Sequence, residues 1–234
     1  MNLDPYRCRN LTRQTNVKAH IMKLFVITFL FILSLATIAC ADSIQLSNFT
    51  REGLAGWESK NFEGTTEYSL VRDGDRAVVR ARSRAAASGL YRKVSLDPQQ
   101  YRYLSWSWKV AGPLNNSAEK TKGGDDYTAR VYVVFPGFFF WQTKAINYVW
   151  AGSLPKGDSY PNPYTHNAMM VVAESGPEKA GVWVSERHDI LADYRRLFGA
   201  EPGSIGAIAI MTDTDNTGLE ATAWYSDIFI SSSP

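Results

Sequence analysis

From Thr66 onward, apolar and polar residues alternate with a period of two, in short runs interrupted by Gly, Pro, Asn and Asp. That period places successive side chains on opposite faces of a strand. The runs predict strands at about 66–72, 76–83, 87–94, 102–110, 127–135, 144–151, 167–173, 182–188, 204–212 and 221–230. Leu104, Trp106, Trp108 and Val110 alternate with Ser105, Ser107 and Lys109, so one face of that strand should be buried beneath indoles and the other wet. Many short strands at this spacing predict an all-β fold of two packed antiparallel sheets. One segment departs from the pattern: Ile190, Tyr194, Leu197 and Phe198 recur at helical spacing, with Asp189 as a cap before them and Gly199 and Pro202 after. A single short helix over 190–198 is expected. Gly112 to Gly124, rich in Asn, Ser, Lys and Gly, reads as a long loop between strands.

Ahead of the strands stands a different kind of segment. The charge-free run Leu24 to Ile38 follows Lys23 and precedes Ala39-Cys40-Ala41-Asp42, the order of a secretory signal peptide. The run is short for a membrane span, so no retained transmembrane helix is expected. Met22 reads as the true start. Cleavage after Ala41 divides the chain into a leader, 1–41, and a single β-sandwich domain, 42–234. The alternative is a lipoprotein acylated at Cys40, although Thr37 stands where the lipoprotein box favours Leu. Either route implies export to the periplasm or beyond.

Export changes the charge and the redox reading. The chain has 25 basic and 23 acidic residues. Losing Arg7, Arg9, Arg13, Lys18, Lys23 and Asp4 with the leader leaves 20 against 22, a net charge of −2. A slightly acidic domain lacks the basic footprint of a nucleic-acid binder. Cys8 and Cys40 both precede the cleavage site, so the mature domain is expected to be held by its core without a disulfide.

Trp106-Ser-Trp-Lys109, Gly124-Asp-Asp-Tyr-Thr-Ala-Arg-Val-Tyr-Val-Val-Phe135, Asn147-Tyr-Val-Trp150, Ala192-Asp-Tyr194 and Thr212-Asp-Thr-Asp-Asn-Thr-Gly218 follow one another in order. In this series the chain resembles the bacterial domain-of-unknown-function family 3047, from about Phe49 to Ile230. The resemblance implies a secreted or periplasmic protein and a jelly-roll sandwich similar to galactose-binding-like modules. It transfers no catalytic residue, and His188 stands where the family motif carries a different polar residue.

Several constellations could carry chemistry. On the strand after Asp125, residues Asp126, Thr128, Arg130 and Tyr132 share one face. A mid-strand Arg under cover needs a carboxylate, so this strip with Asp125 is either a ligand-facing set for sugar hydroxyls or an internal ion pair of Arg130 with Asp126 locking the sheets together, with Asp125 capping the turn. Asp213-Thr-Asp215-Asn-Thr-Gly218 has the opening of a calcium loop, but Trp224 replaces the bidentate Glu that an EF-hand requires. A noncanonical calcium site at Asp213 and Asp215, or a plain turn, remains. Glu186, Asp126 and Asp213, with Asp193, are the carboxylates from which a glycan hydrolase or lyase would draw an acid and a base. Arg187 lies on the strand face opposite Glu186 and His188 and is a further ligand-binding candidate. His166 and His188 lack zinc spacing, and no Ser sits in a G-x-S-x-G elbow. Arg80, Arg82 and Arg84 alternate on one strand face, suited to solvent or to an anionic polymer. Pro136-Gly-Phe-Phe-Phe-Trp141 places four aromatics in a row, which cannot all point inward; Trp141 is the candidate contact for a sugar or partner.

Taken together, these features predict a non-catalytic binder of carbohydrate or envelope glycan. The rivals are a glycan hydrolase or lyase using paired carboxylates and an envelope assembly protein acting through its aromatic loop.

Overall fold

The computed structural model describes residues 42–234; the leader, the cleavage site and Cys40 lie outside the described residues. Period-two alternation resolves into strands β1 (Ser43–Gln45), β2 (Glu58–Glu63), β3 (Glu67–Asp73), β4 (Arg76–Arg84), β5 (Ala87–Leu96), β6 (Tyr103–Val110), β7 (Ala129–Phe135), β8 (Lys144–Ala151), β9 (Ser159–Asn162), β10 (Thr165–Ser175), β11 (Val184–Asp189), β12 (Ile205–Asp213), β13 (Glu220–Tyr225) and β14 (Phe229–Ser231). They form two seven-stranded sheets. Sheet A runs β1-β14-β6-β13-β4-β3, with β11 also paired to β6; sheet B runs β2-β5-β12-β7-β8-β10-β9. The architecture is the expected all-β sandwich with one short helix.

The core forms where the apolar faces of the two sheets meet. Leu104, Trp106, Trp108 and Val110 of β6 pack against Ala129, Val131, Val133 and Phe135 of β7 and Ile146, Tyr148 and Trp150 of β8. Trp106 and Trp108 meet edge to face at 5.3 Å, and Trp108 lies 5.9 Å from Trp150 across the interface. Helix α1 (Ile190–Phe198) begins at Asp189, whose side chain accepts from the Ala192 amide, and ends at Gly199 in the left-handed conformation, φ 61°. Its Tyr194 closes one end of the core against Phe135, ring centroids 4.6 Å apart.

The structure adds to the sequence reading in three places. Strands β1, β2 and β9 lack an apolar alternation: β2 reads Glu-Ser-Lys-Asn-Phe-Glu and is exposed throughout, and β9 carries Pro161 at the sheet edge. The last predicted strand divides into β13 and β14, because Asp227 between them turns its carboxylate to the Phe49 amide at 2.7 Å. The sheets are antiparallel except at β8 and β10, which pair in parallel. Strand β9 hairpins back against β10 on the outer edge, so β10 must run in the direction of β8.

The long loop joining β6 to β7 is folded back on sheet B. Glu119 reaches the Gly152 amide at 2.6 Å, and Tyr127, Val149, Ala151, Tyr160, Met170 and Val172 form a small second core beneath the loop. Tyr127 therefore lies on the outer side of sheet B, although strict alternation over the predicted strand 127–135 would put it on one face with Ala129, Val131 and Val133. The strand begins only at Ala129, so the alternation does not extend back to it. Beyond this cover, the outer face of sheet B is open.

Candidate ligand-binding groove

Register places a defined set of side chains on that open face. Arg130 pairs with Met211 and Val149, Tyr132 with Ala209 and Asn147, and Val134 with Ala207 and Ala145, all on the side away from the core. Ala87, Gly89 and Tyr91 continue the same face on β5, as does Ala168 on β10. The floor is thus made mainly of small residues, and the walls of larger ones. Gly89 is needed for the depth: a Cβ there would meet the Ile210 carbonyl oxygen at 3.2 Å. The result is two adjoining cavities of about 520 and 230 Å³ that share Phe62, Tyr132 and Met211 and together make one groove. Phe62 is 65% exposed and Tyr164 55%, so two aromatic side chains are open to solvent along it.

Polar groups converge at one end. Arg130, 2% exposed, donates through Nε to Asp213 at 2.6 Å and through Nη1 to Asp125 at 3.3 Å; Nη2 reaches Asp213 and, at 2.5 Å, the Asp125 carbonyl. Its guanidinium lies 4.5 Å over the Tyr127 ring. Asn162 donates to the other Asp125 oxygen at 2.7 Å. Burial pushes the Asp213 carboxyl up to about 7, against the pull of Arg130 and with repulsion from Asp126 and Asp125 added. Farther along, Asn147 is 1% exposed; it donates to the Met170 sulfur at 3.3 Å, and its Oδ1 has no partner. A buried carbonyl oxygen without a donor costs free energy unless a ligand or water supplies one.

The candidate residues fall into separate groups. Asp125, Arg130, Tyr132, Asp213 and Asp215 line the groove. The expected Asp126–Arg130 pairing is replaced: Arg130 pairs with Asp213 and Asp125, and Asp126 accepts the amides and side chains of Asn216 and Thr217 instead. The ion pair also joins neighbouring strands β7 and β12 of one sheet, where an inter-sheet lock was anticipated. Glu186 lies elsewhere, on β11 of sheet A, with Lys156 at 3.8 Å and His188 at 3.6 Å. It therefore does not share the groove with Asp213, and Asp126 is buried outside the groove lining. Arg187, on the opposite side of β11, reaches the Ser233 carbonyl at 2.6 Å and lines a cleft of about 430 Å³ on the outer face of sheet A. Trp141 lies in the turn joining β7 to β8, 58% exposed and stacked on Phe139 at 4.6 Å; Phe138 is 91% exposed. Arg82 and Arg84 sit in solvent beside Glu220, and half-buried Arg80 lies beside Glu67.

Asp213 and Asp215 do come together, and Asp126 joins them: one oxygen from each lies within 4.8 Å of the others. Most of this donor set is spoken for. Both Asp126 oxygens accept from Asn216 and Thr217, and both Asp213 oxygens from Arg130, so a calcium ion would have to displace protein donors. The carboxylates fit a braced turn better than a metal cage.

Sequence reasoning missed Phe62, Tyr164, Asn147 and Asn162. Phe62 is the lone apolar residue of a polar strand, and Tyr164 and Asn162 sit in a Pro-rich turn. Only Asn147 left a trace, as the outward partner of inward Tyr148 and Trp150.

No curated protein matches the chain. Among solved structures, a mutant of a family 29 carbohydrate-binding module superposes with TM-score 0.42 at 12% identity, covering 82% of this chain and 92% of that one. TmCBM61 in complex with β-1,4-galactotriose gives 0.40 at 7% identity, covering 80% and 97%. The enzymatically active domain of bacteriophage CBA120 tailspike protein 4 gives 0.43 at 10%, covering 80% of this chain and 21% of that chain. These likenesses are too distant to carry function. Residues 55–229 match the family described as protein of unknown function, DUF3047, and the chain belongs to that family.

Proposed function

We propose that the protein is a non-catalytic glycan-binding domain whose ligand lies in the groove across the outer face of sheet B. The observation that carries this reading is the conjunction, in one groove, of the exposed aromatic side chains of Phe62 and Tyr164 with Asn147, whose buried Oδ1 is unpartnered. Pyranose rings present apolar C–H faces and hydroxyl donors, and this surface offers aromatic planes and an acceptor to match. Binding without hydrolysis fits the carboxylates: Arg130 holds Asp213 and Asp125, Asn216 and Thr217 hold Asp126, and Glu186 stands on the other sheet. Export by the leader read from the sequence would bring the domain to envelope glycans, which supports the reading.

A glycan array probed with the purified protein and with Phe62→Ala tests the reading. Binding by the native protein, weakened about tenfold by Phe62→Ala, is expected. Binding that Phe62→Ala leaves intact, or release of shortened products from a bound glycan, would contradict it.

A further inference from the structure

Carboxylates outnumber cations in the groove, although Lys60 lines its smaller cavity and Lys122 lies 5.4 Å over the Tyr164 ring. Glu63, Asp125, Asp213 and Asp215 line its larger cavity together with a single basic residue, Arg130. Arg130 is spent on Asp213 and Asp125. Among the described residues, no Lys or Arg forms an ion pair with Asp215 or Glu63. They lie at one end of the groove, since Glu63 registers with Ala87 and Ala87 with Asp213. Burial raises the pKa of Asp215, and the nearby Asp126 raises it further, against a weaker pull from Arg130.

A second, independent observation points to a ligand. Asn147 lines the same cavity, and its Oδ1 is buried and accepts from nothing. Both unmet demands are for donors, and one of them is for a charged donor. A bare metal ion is a poor answer, because the oxygens of Asp126 and Asp213 are occupied. A sugar ammonium needs no cage: its three N–H bonds can be shared among a carboxylate and neutral acceptors.

We propose that the glycan bound in this groove carries free, non-acetylated amino groups, and that Asp215 and Glu63 receive the ammonium while Asn147 Oδ1 accepts a further sugar donor. This rests on the glycan reading above and narrows its ligand class. The neutral hydroxyl and N-acetyl counterparts present no positive charge and leave the acidic end of the groove unmatched.

The test is calorimetric titration of the purified protein with matched β-1,4-linked gluco- and galacto-oligosaccharides in amine, N-acetyl and hydroxyl forms. Affinity for the amine form should exceed that for either neutral form by at least about tenfold, the scale of a charge-assisted hydrogen bond. Asp215→Asn should bring that ratio toward one. Glu63→Gln, at an exposed position, should reduce it without the folding risk of the more buried site. Equal binding of all three forms, or preference for a neutral one, would overturn the amino-sugar inference and leave the groove as a glycan site. An amine preference that survives both substitutions would also overturn it, since the attraction would then lie elsewhere. Binding of none of them would overturn the inference and the glycan reading together.

Discussion

Removing the guanidinium of Arg130 would leave two carboxylates buried without their counter-charge. At pH 8, above the value of about 7 to which Asp213 is raised, Arg130→Ala should cost about 3–5 kcal/mol, read from urea unfolding. A loss below about 1 kcal/mol would mean that Arg130 does not brace the groove floor. His188 offers a pH test on the other sheet. Burial pulls its pKa down, but hydrogen bonds and charge from Asp193 and Glu186 more than offset this, so the folded value is raised. The resulting stabilisation is full below the unfolded value near about 6.5 and is lost as pH rises through the folded one. The stability difference between the native protein and His188→Asn should therefore shrink as pH rises through that window, and a difference that is flat or grows would contradict the assignment. At this scale the sequence was legible in part: a mid-strand Arg demanded a carboxylate. Its main partner lies 83 residues away, a separation that no local pattern encodes.

Elements with an apolar face were legible, and those without one were not. Strand β6 and helix α1 stood out because each must bury a stripe of large side chains, and periodicity records that demand. Strands β2 and β9 bury little and owe their conformation to pairing with β5 and β10, which left no mark on their sequences. They also carry Phe62 and Asn162, so half of the groove wall escaped the sequence reading. The aromatic turn between β7 and β8 was legible as an anomaly, and the structure sets Phe138 and Phe140 in solvent. Trp141→Ala should accordingly change stability by under about 0.5 kcal/mol in a thermal melt. Because Trp141 is not among the groove-lining residues, glycan affinity should fall by less than about threefold. Loss of binding with stability intact would move the ligand from the groove to this turn.

For the whole molecule, two properties follow from how charge and chain are distributed. In the acidic turn the oxygens of Asp126 and Asp213 are held by protein donors, which leaves Asp215 alone too few partners for a calcium cage, so calcium and a chelator should give coincident melting curves. A calcium-dependent rise in melting temperature would restore the metal reading. Export should leave a mature N-terminus at Asp42 when envelope protein is analysed by mass spectrometry, while an acylated Cys40 would establish the lipoprotein route and a full-length cytosolic chain would contradict export. The central claim concerns where a glycan sits, and amide chemical-shift mapping during titration with a glycan that binds on the array reads this directly. The account predicts shifts clustered at Phe62, Gly89, Tyr132, Asn147 and Tyr164, on one face of sheet B. Shifts confined to the Phe138–Trp141 turn, or to the Arg187 cleft on sheet A, would contradict it.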